Sequence, residues 1–185
     1  VQIYVQAPYT EYDRENLVEK AAVQLVAYGK SGIIEPGASE DVIVNVDKYL
    51  LASYDTTAHE GEGGYILDDG DYYFATGNGA HDALNNILAL KAENEGLSLE
   101  LTDHYGNTVR GNKGAVKVWN LETFDDATYA QSNGTRVDNK LQEADLNYWI
   151  ENSVTYLTRQ DWNTFPKSYT TVNATQAMAD ILNKD

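Results

Sequence analysis

The chain has no cysteine, so it can hold no disulfide framework, no thiolate zinc site and no thiol nucleophile. Core packing has to stabilise it unaided. Basic residues are scarce: 13 Lys and Arg face 29 Asp and Glu, a formal net charge of −16 over 185 residues. No basic stripe is available to neutralise phosphate, which excludes nucleic acid and anionic membrane as partners. No stretch approaches the roughly 18 consecutive apolar residues of a membrane span. No signal peptide is visible in the sequence, which opens inside a strand-like pattern and so says little about a leader.

Metal and cofactor signals are equally thin. His59, His81 and His104 are scattered, with no partner at metal-ligand spacing. Asp68, Asp69 and Asp71 cluster around Gly70, but the run lacks the spacing of a calcium loop and reads as a turn. No nucleophile elbow or phosphate loop occurs. No metal, cofactor or catalytic residue is expected in this chain.

What the chain does have is the composition of a folded protein, 42% hydrophobic. Its 14 tyrosines and three tryptophans exceed core needs, so some aromatic surface is expected. The acidic surface suits a neutral ligand such as a sugar.

Short alternating segments dominate the first half. Residues 1–6 put Val1, Ile3 and Val5 on one face and Gln2, Tyr4 and Gln6 on the other, a half-buried strand ended by Pro8. A polar loop is expected over 9–20, then a strand over 22–28 with Val23, Leu25 and Ala27 inward. Glu35-Pro36-Gly37 is a turn. Asp41 to Asp47 alternates again, with Val42, Val44 and Val46 on one face. A short helical turn and a strand are expected over 49–54. Asp69-Gly70 fits a two-residue hairpin turn between strands at 65–67 and 72–75. Such strands with turns between them predict a β-sandwich.

At Gly79 the period changes. Ala80, Ala83, Leu84, Ile87, Leu88 and Lys91 fall at helical spacing, a helix over 80–93 ended near Gly96, with His81-Asp82 as first-turn charge. Further on, the pattern predicts a strand over 116–121 and a short helix over 138–150 with Leu141, Ala144 and Tyr148 on one face. A strand over 154–157 and a final helix capped by Asn173 complete it.

Five segments carry a resemblance. Val1-Gln2-Ile3-Tyr4-Val5 before a proline is the first, and Glu19-Lys20 with Val23 to Tyr28 the second. Glu35-Pro36-Gly37-Ala38-Ser39-Glu40 with Val42 to Val46 is the third, Leu50 to Asp55 the fourth, and Leu67 to Phe74 the fifth. In this order they resemble the fibronectin type III-like domain of glycoside hydrolase family 3. Ala80 to Leu90, Asp145-Leu146-Asn147-Tyr148, Val154 to Leu157 and Asp161-Trp162 are similar to a branch of β-glucosidases from anaerobic gut and rumen Firmicutes. Some members of that branch place this module before the catalytic barrel. The module usually starts two strands earlier, so the resemblance implies a sandwich lacking its first strands.

The resemblance implies a mostly β, immunoglobulin or fibronectin type III-like sandwich over 1–78. Residues 79–185 then form a helical appendage and an irregular extension towards a neighbouring catalytic domain. It implies a non-catalytic accessory region of a β-glucosidase-like parent, inactive alone, whose partners are the catalytic domains of the same polypeptide. A bacterial, cytoplasmic setting is expected over a secreted one. The family's nucleophile follows Ser/Thr in a Ser/Thr-Asp-Trp motif, but here Arg159-Gln160 precede Asp161, which reads as a linker residue. Tyr9, Tyr12, Trp119 and Trp149 are the candidates for a substrate rim or an interface, and the 9–20 loop for the rim itself. The competing reading is a carbohydrate-binding or adhesin-type interaction module, with sugar contact on Tyr9, Tyr12, Tyr72, Tyr73, Trp119, Tyr148 and Trp149.

Overall fold

The computed structural model describes residues 1–97, 101–102, 108–126, 140–158 and 160. The chain is mostly β with antiparallel sheets and few helices, consistent with a sandwich carrying appended helices. Its main sheet has the order β2-β1-β5-β8, formed by Gln24–Tyr28, Gln2–Gln6, Gly70–Thr76 and Val116–Leu121. Two small antiparallel pairs accompany it: β3 (Ser53–Asp55) with β4 (Gly64–Ile66), and β6 (Leu101–Thr102) with β7 (Thr108–Val109). Three helices are described, α1 (Glu11–Asn16), α2 (Ala80–Asn94) and α3 (Leu146–Trp149).

The central strands β1 and β5 are covered on both faces. Successive side chains of a strand point to opposite sides. Tyr4 and Ala75 therefore meet Ala83 and Ile87 of α2, while Val5 and Tyr72 meet Val26, Leu51 and Leu67 on the other side. This corrects the half-buried reading of residues 1–6. Tyr4 is buried beneath α2 with its hydroxyl donating to Gln2, and Gln6 is buried with Nε2 donating to the Ala22 carbonyl at 2.7 Å. Their polar atoms are satisfied internally, so polarity did not mark a solvent face. Helix α2 runs one residue past the expected stretch, and Gly96 follows it at φ +68°.

β2 is shorter than expected and its facing is reversed. Val26 is buried while Leu25 is 51% exposed. The pairing jumps from Ile3↔Ala27 to Tyr4↔Leu25, which leaves Val26 as an extra residue. Such a bulge flips the side chains that follow it. The outer edge of β2 pairs with no strand among the described residues.

Glu35-Pro36-Gly37 forms the expected turn, with Gly37 at φ +84° and the Ala38 amide donating to the Glu35 carbonyl at 2.9 Å. Residues 41–47 keep their alternation, Val42, Val44 and Val46 half-buried and Ile43 89% exposed, yet form no strand ladder. Lys48–Leu51 is a short 3-10 turn leading into β3, as the pattern predicts.

Asp69-Gly70 is not a hairpin. β4 pairs with β3, whereas β5 pairs with β1 and β8, so the chain crosses between sheets at this corner. Gly70 has φ +122°, and a β-carbon there would stand 3.3 Å from Pro8 Cβ. The dihedral favours glycine, and a side chain there would also press on Pro8.

Three later expectations meet different outcomes. Val116–Leu121 is a strand, and it pairs with β5 along its whole length. The single helix over 138–150 is instead two short turns, Gln142–Ala144 and α3, because Asp145 is extended and caps α3 by accepting from Asn147 N at 2.8 Å. That local bond competes with helix continuation. Residues 154–157 form no strand. Asp161-Trp162, His104 and the helix after Asn173 lie outside the described residues.

Candidate functional site

The 9–20 segment, expected as a polar loop, is an anchored helical projection. Thr10 caps α1 in a reciprocal box: its side chain accepts from Asp13 N, and Asp13 Oδ2 accepts from Thr10 N at 2.7 Å. Thr10-x-x-Asp13 is a short-armed version of the usual box with Glu or Gln, and it is the sequence signal that marks this helix. Leu17 ends the helix at φ 55°, and its side chain is 70% exposed.

Beneath α1 lies a buried ionic cluster. Lys20 Nζ stands 2.7 Å from Asp13 Oδ1, forms a second ion pair with Asp68 Oδ2, and donates to the Pro8 carbonyl at 3.0 Å. The three side chains are only 0–3% exposed. Thr10 Oγ1 donates to Asp68 Oδ1 at 3.2 Å, and the Tyr72 hydroxyl donates to the Asp68 carbonyl at 3.1 Å. Burial pushes the Asp68 carboxyl above its ordinary value of 3.8, against the opposing pull of Lys20. Asp68, read from sequence as a turn residue, thus ties the sheet corner to the α1 projection. No motif foretold it, because its partners lie 48 and 58 positions away.

Two carboxylates facing each other could suggest glycoside hydrolysis, where paired carboxyls flank the scissile bond. Here an ammonium occupies the space between them and the cluster is closed to solvent. With Lys20 between them, Asp13 and Asp68 are held in ion pairs and face no open cleft of their own. The adjoining cavity, bordered by Glu19, Lys20, Leu51 and Tyr54, holds about 210 Å³. That is below the ~300–1,000 Å³ of small-molecule sites. A second, more open trough of about 450 Å³ runs along the free edge of β2, lined by Leu25, Val26, Tyr28, Ile43 and Val44.

Of the four expected aromatic residues, Tyr9 and Tyr12 lie at α1, Trp119 on β8 and Trp149 in α3. Tyr9 is half-buried, with the Arg14 guanidinium 5.5 Å from its ring centre. Tyr12 packs on Phe124 at 4.8 Å and donates to Asp55 Oδ2 at 2.6 Å. Burial first, then that bond to Asp55, holds the Tyr12 phenol well above its usual range. Trp119 sits on the main sheet 5.2 Å from Tyr72, with Lys48 Nζ over its ring. Trp149 is 66% exposed and stands edge-on to Tyr148 in the C-terminal turns. Of the remaining aromatics, Tyr72 is buried and Tyr73 lies under Lys91, 4.4 Å from its ring centre. Among the described residues no group of three or more His, Asp or Glu is placed to hold a metal ion.

Residues 1–80 match the family model described as the fibronectin type III-like domain. No curated protein and no solved structure matches the chain.

Proposed function

We propose that this chain is a non-catalytic accessory region of a family 3 glycoside hydrolase, whose parent polypeptide cleaves terminal β-glucosides. The observation that carries it is the fibronectin type III-like match over residues 1–80. The five-segment resemblance adds the glycosidase parent. In this reading residues 1–78 are the sandwich and residues 79–185 run on towards a neighbouring catalytic domain, with α2 and β8 returning to the sheet. Lys20 stands between Asp13 and Asp68, which fits a brace with no chemistry of its own.

The α1 projection is the proposed rim element, since its anchor is buried while Glu11, Arg14 and Glu15 face solvent. Removing residues 9–20 would destroy the ionic cluster, so the informative variant is Glu11→Ala, Arg14→Ala and Glu15→Ala together in the parent enzyme. A changed KM for an aryl β-glucoside is expected. Unchanged kinetics would remove the rim role. The chain by itself is expected to release no nitrophenol from p-nitrophenyl β-glucoside, while the polypeptide encoded with its flanking regions does. Hydrolysis by the isolated chain, lost on replacing one of its own carboxylates, would overturn the reading.

A further inference from the structure

Between residues 141 and 158 the backbone is folded around one asparagine. Asn147 Nδ2 donates to the Val154 carbonyl at 2.8 Å, and its Oδ1 accepts from the Val154 amide at 2.8 Å and from Ser153 Oγ at 3.0 Å. The side-chain amide thus pairs with both backbone groups of Val154, as a residue on a neighbouring strand would. Asp145 accepts from the Asn147 amide and from the Tyr156 hydroxyl, and Trp149 Nε1 donates to the Glu143 carbonyl at 2.8 Å. The polar side chains of this knuckle hold its shape. Its apolar ones point outward: Leu141 is 75% exposed, Leu146 61%, Trp149 66% and Ile150 69%. An ordinary surface loop scatters exposed apolar residues singly. Four exposed apolar side chains carried on one short cross-bonded frame have already met much of the ordering cost of binding.

We propose that this knuckle is a docking element that seats in an apolar socket with a cationic rim on a folded protein domain. Three alternatives fit the surface less well. Tyr148 and Trp149 meet at 88° with ring centres 5.0 Å apart, so they offer a pyranose no common plane. The indole N–H is already engaged, and the aliphatic neighbours cannot bond sugar hydroxyls. Anionic lipid and a second copy of this chain are both opposed by charge, since Glu143 and Glu151 are exposed beside the knuckle and the chain carries −16. A socket rimmed by Lys or Arg complements those carboxylates. Trp149 is the natural anchor, because aromatic side chains dominate such contacts.

The inference rests on the accessory-region reading and names its contact, the remainder of the same polypeptide. The test mixes the 185-residue chain with the polypeptide encoded on either side of it, expressed without these residues, and measures Kd by calorimetry. Trp149→Ala and Ile150→Ser are each expected to weaken binding about 10- to 30-fold, and Ile150→Ser, which breaks no bond of the frame, to leave the chain's Tm unchanged. Asn147→Ala, which leaves every exposed apolar group in place, is expected to weaken it several-fold through lost preorganisation. Raising salt should weaken it further. If the wild-type chain does not bind, the bracing reading and the docking element both fail. If it binds and the Trp149 and Ile150 variants bind equally well, only the docking element fails. Binding of cello-oligosaccharide or of phosphatidylcholine vesicles that depends on Trp149 would also overturn it.

Discussion

Lys20 holds two buried carboxylates and a backbone carbonyl at once. Its ammonium stands against two buried carboxylates, so removing it leaves charge uncompensated where water cannot reach. Breaking a buried pair in this way costs about 3–5 kcal/mol. Lys20→Met is expected to show that loss in urea melts at pH 7. The pH dependence has a definite sign. Asp68 has a folded pKa above its unfolded one, so it binds more protons folded, and its contribution falls as pH rises through that window. Without Lys20 the window extends upward. The variant should therefore recover more stability than the wild type on acidification from pH 7 to 5, and equal slopes would refute the ion pairing. Tyr12→Phe is a milder change. It removes a bond to the buried carboxylate of Asp55, which keeps the Thr57 amide and hydroxyl at 2.7 Å. A loss near the lower end of about 1.5–3 kcal/mol is expected by chemical denaturation.

At the level of elements, α2 is part of the packed core. Ile87 and Ala83 are fully buried against Tyr4 and Ala75, so the helix covers a face of the sheet that would otherwise be apolar and wet. Ile87→Ala is expected to cost about 2–5 kcal/mol and to shift a single cooperative transition. Early melting of a helix with the β signal unmoved would mark α2 as a separable appendage. Side chains also fasten the next segment to this helix: Asn86 Nδ2 donates to the Thr76 carbonyl at 2.9 Å, and Asn86 Oδ1 accepts from the Asn112 amide at 2.6 Å. α1 was legible in principle from Thr10 and Asp13. The break at Asp145 was harder to read, because an Asp inside an apolar helical pattern can either tolerate the helix or cap a new one.

For the whole molecule, charge is the dominant property. A formal charge of −16 on one chain makes the compact state repel itself. Raising sodium chloride from about 10 to 150 mM shortens the screening length from roughly 30 to 8 Å. Tm by calorimetry at pH 7 is expected to rise by several degrees, and the rise should shrink near pH 4.5 as carboxylates protonate.

Amino-acid order by itself determined the antiparallel β character, the helix after Gly79, the turn at Gly37 and the absence of thiol chemistry. Those depend on residues close together in the chain: alternation, helical spacing, Pro-Gly pairing and composition. Tertiary structure decided which faces were buried, where β2 bulges, that the chain changes sheets at Gly70, and that Asp13, Lys20 and Asp68 meet. It also placed Tyr9 and Tyr12 at α1, Trp119 on the main sheet and Trp149, exposed, in the C-terminal turns. The physical reason is range. A strand's period states that it has two faces, but whether a helix or water covers the second is settled by segments some eighty positions away.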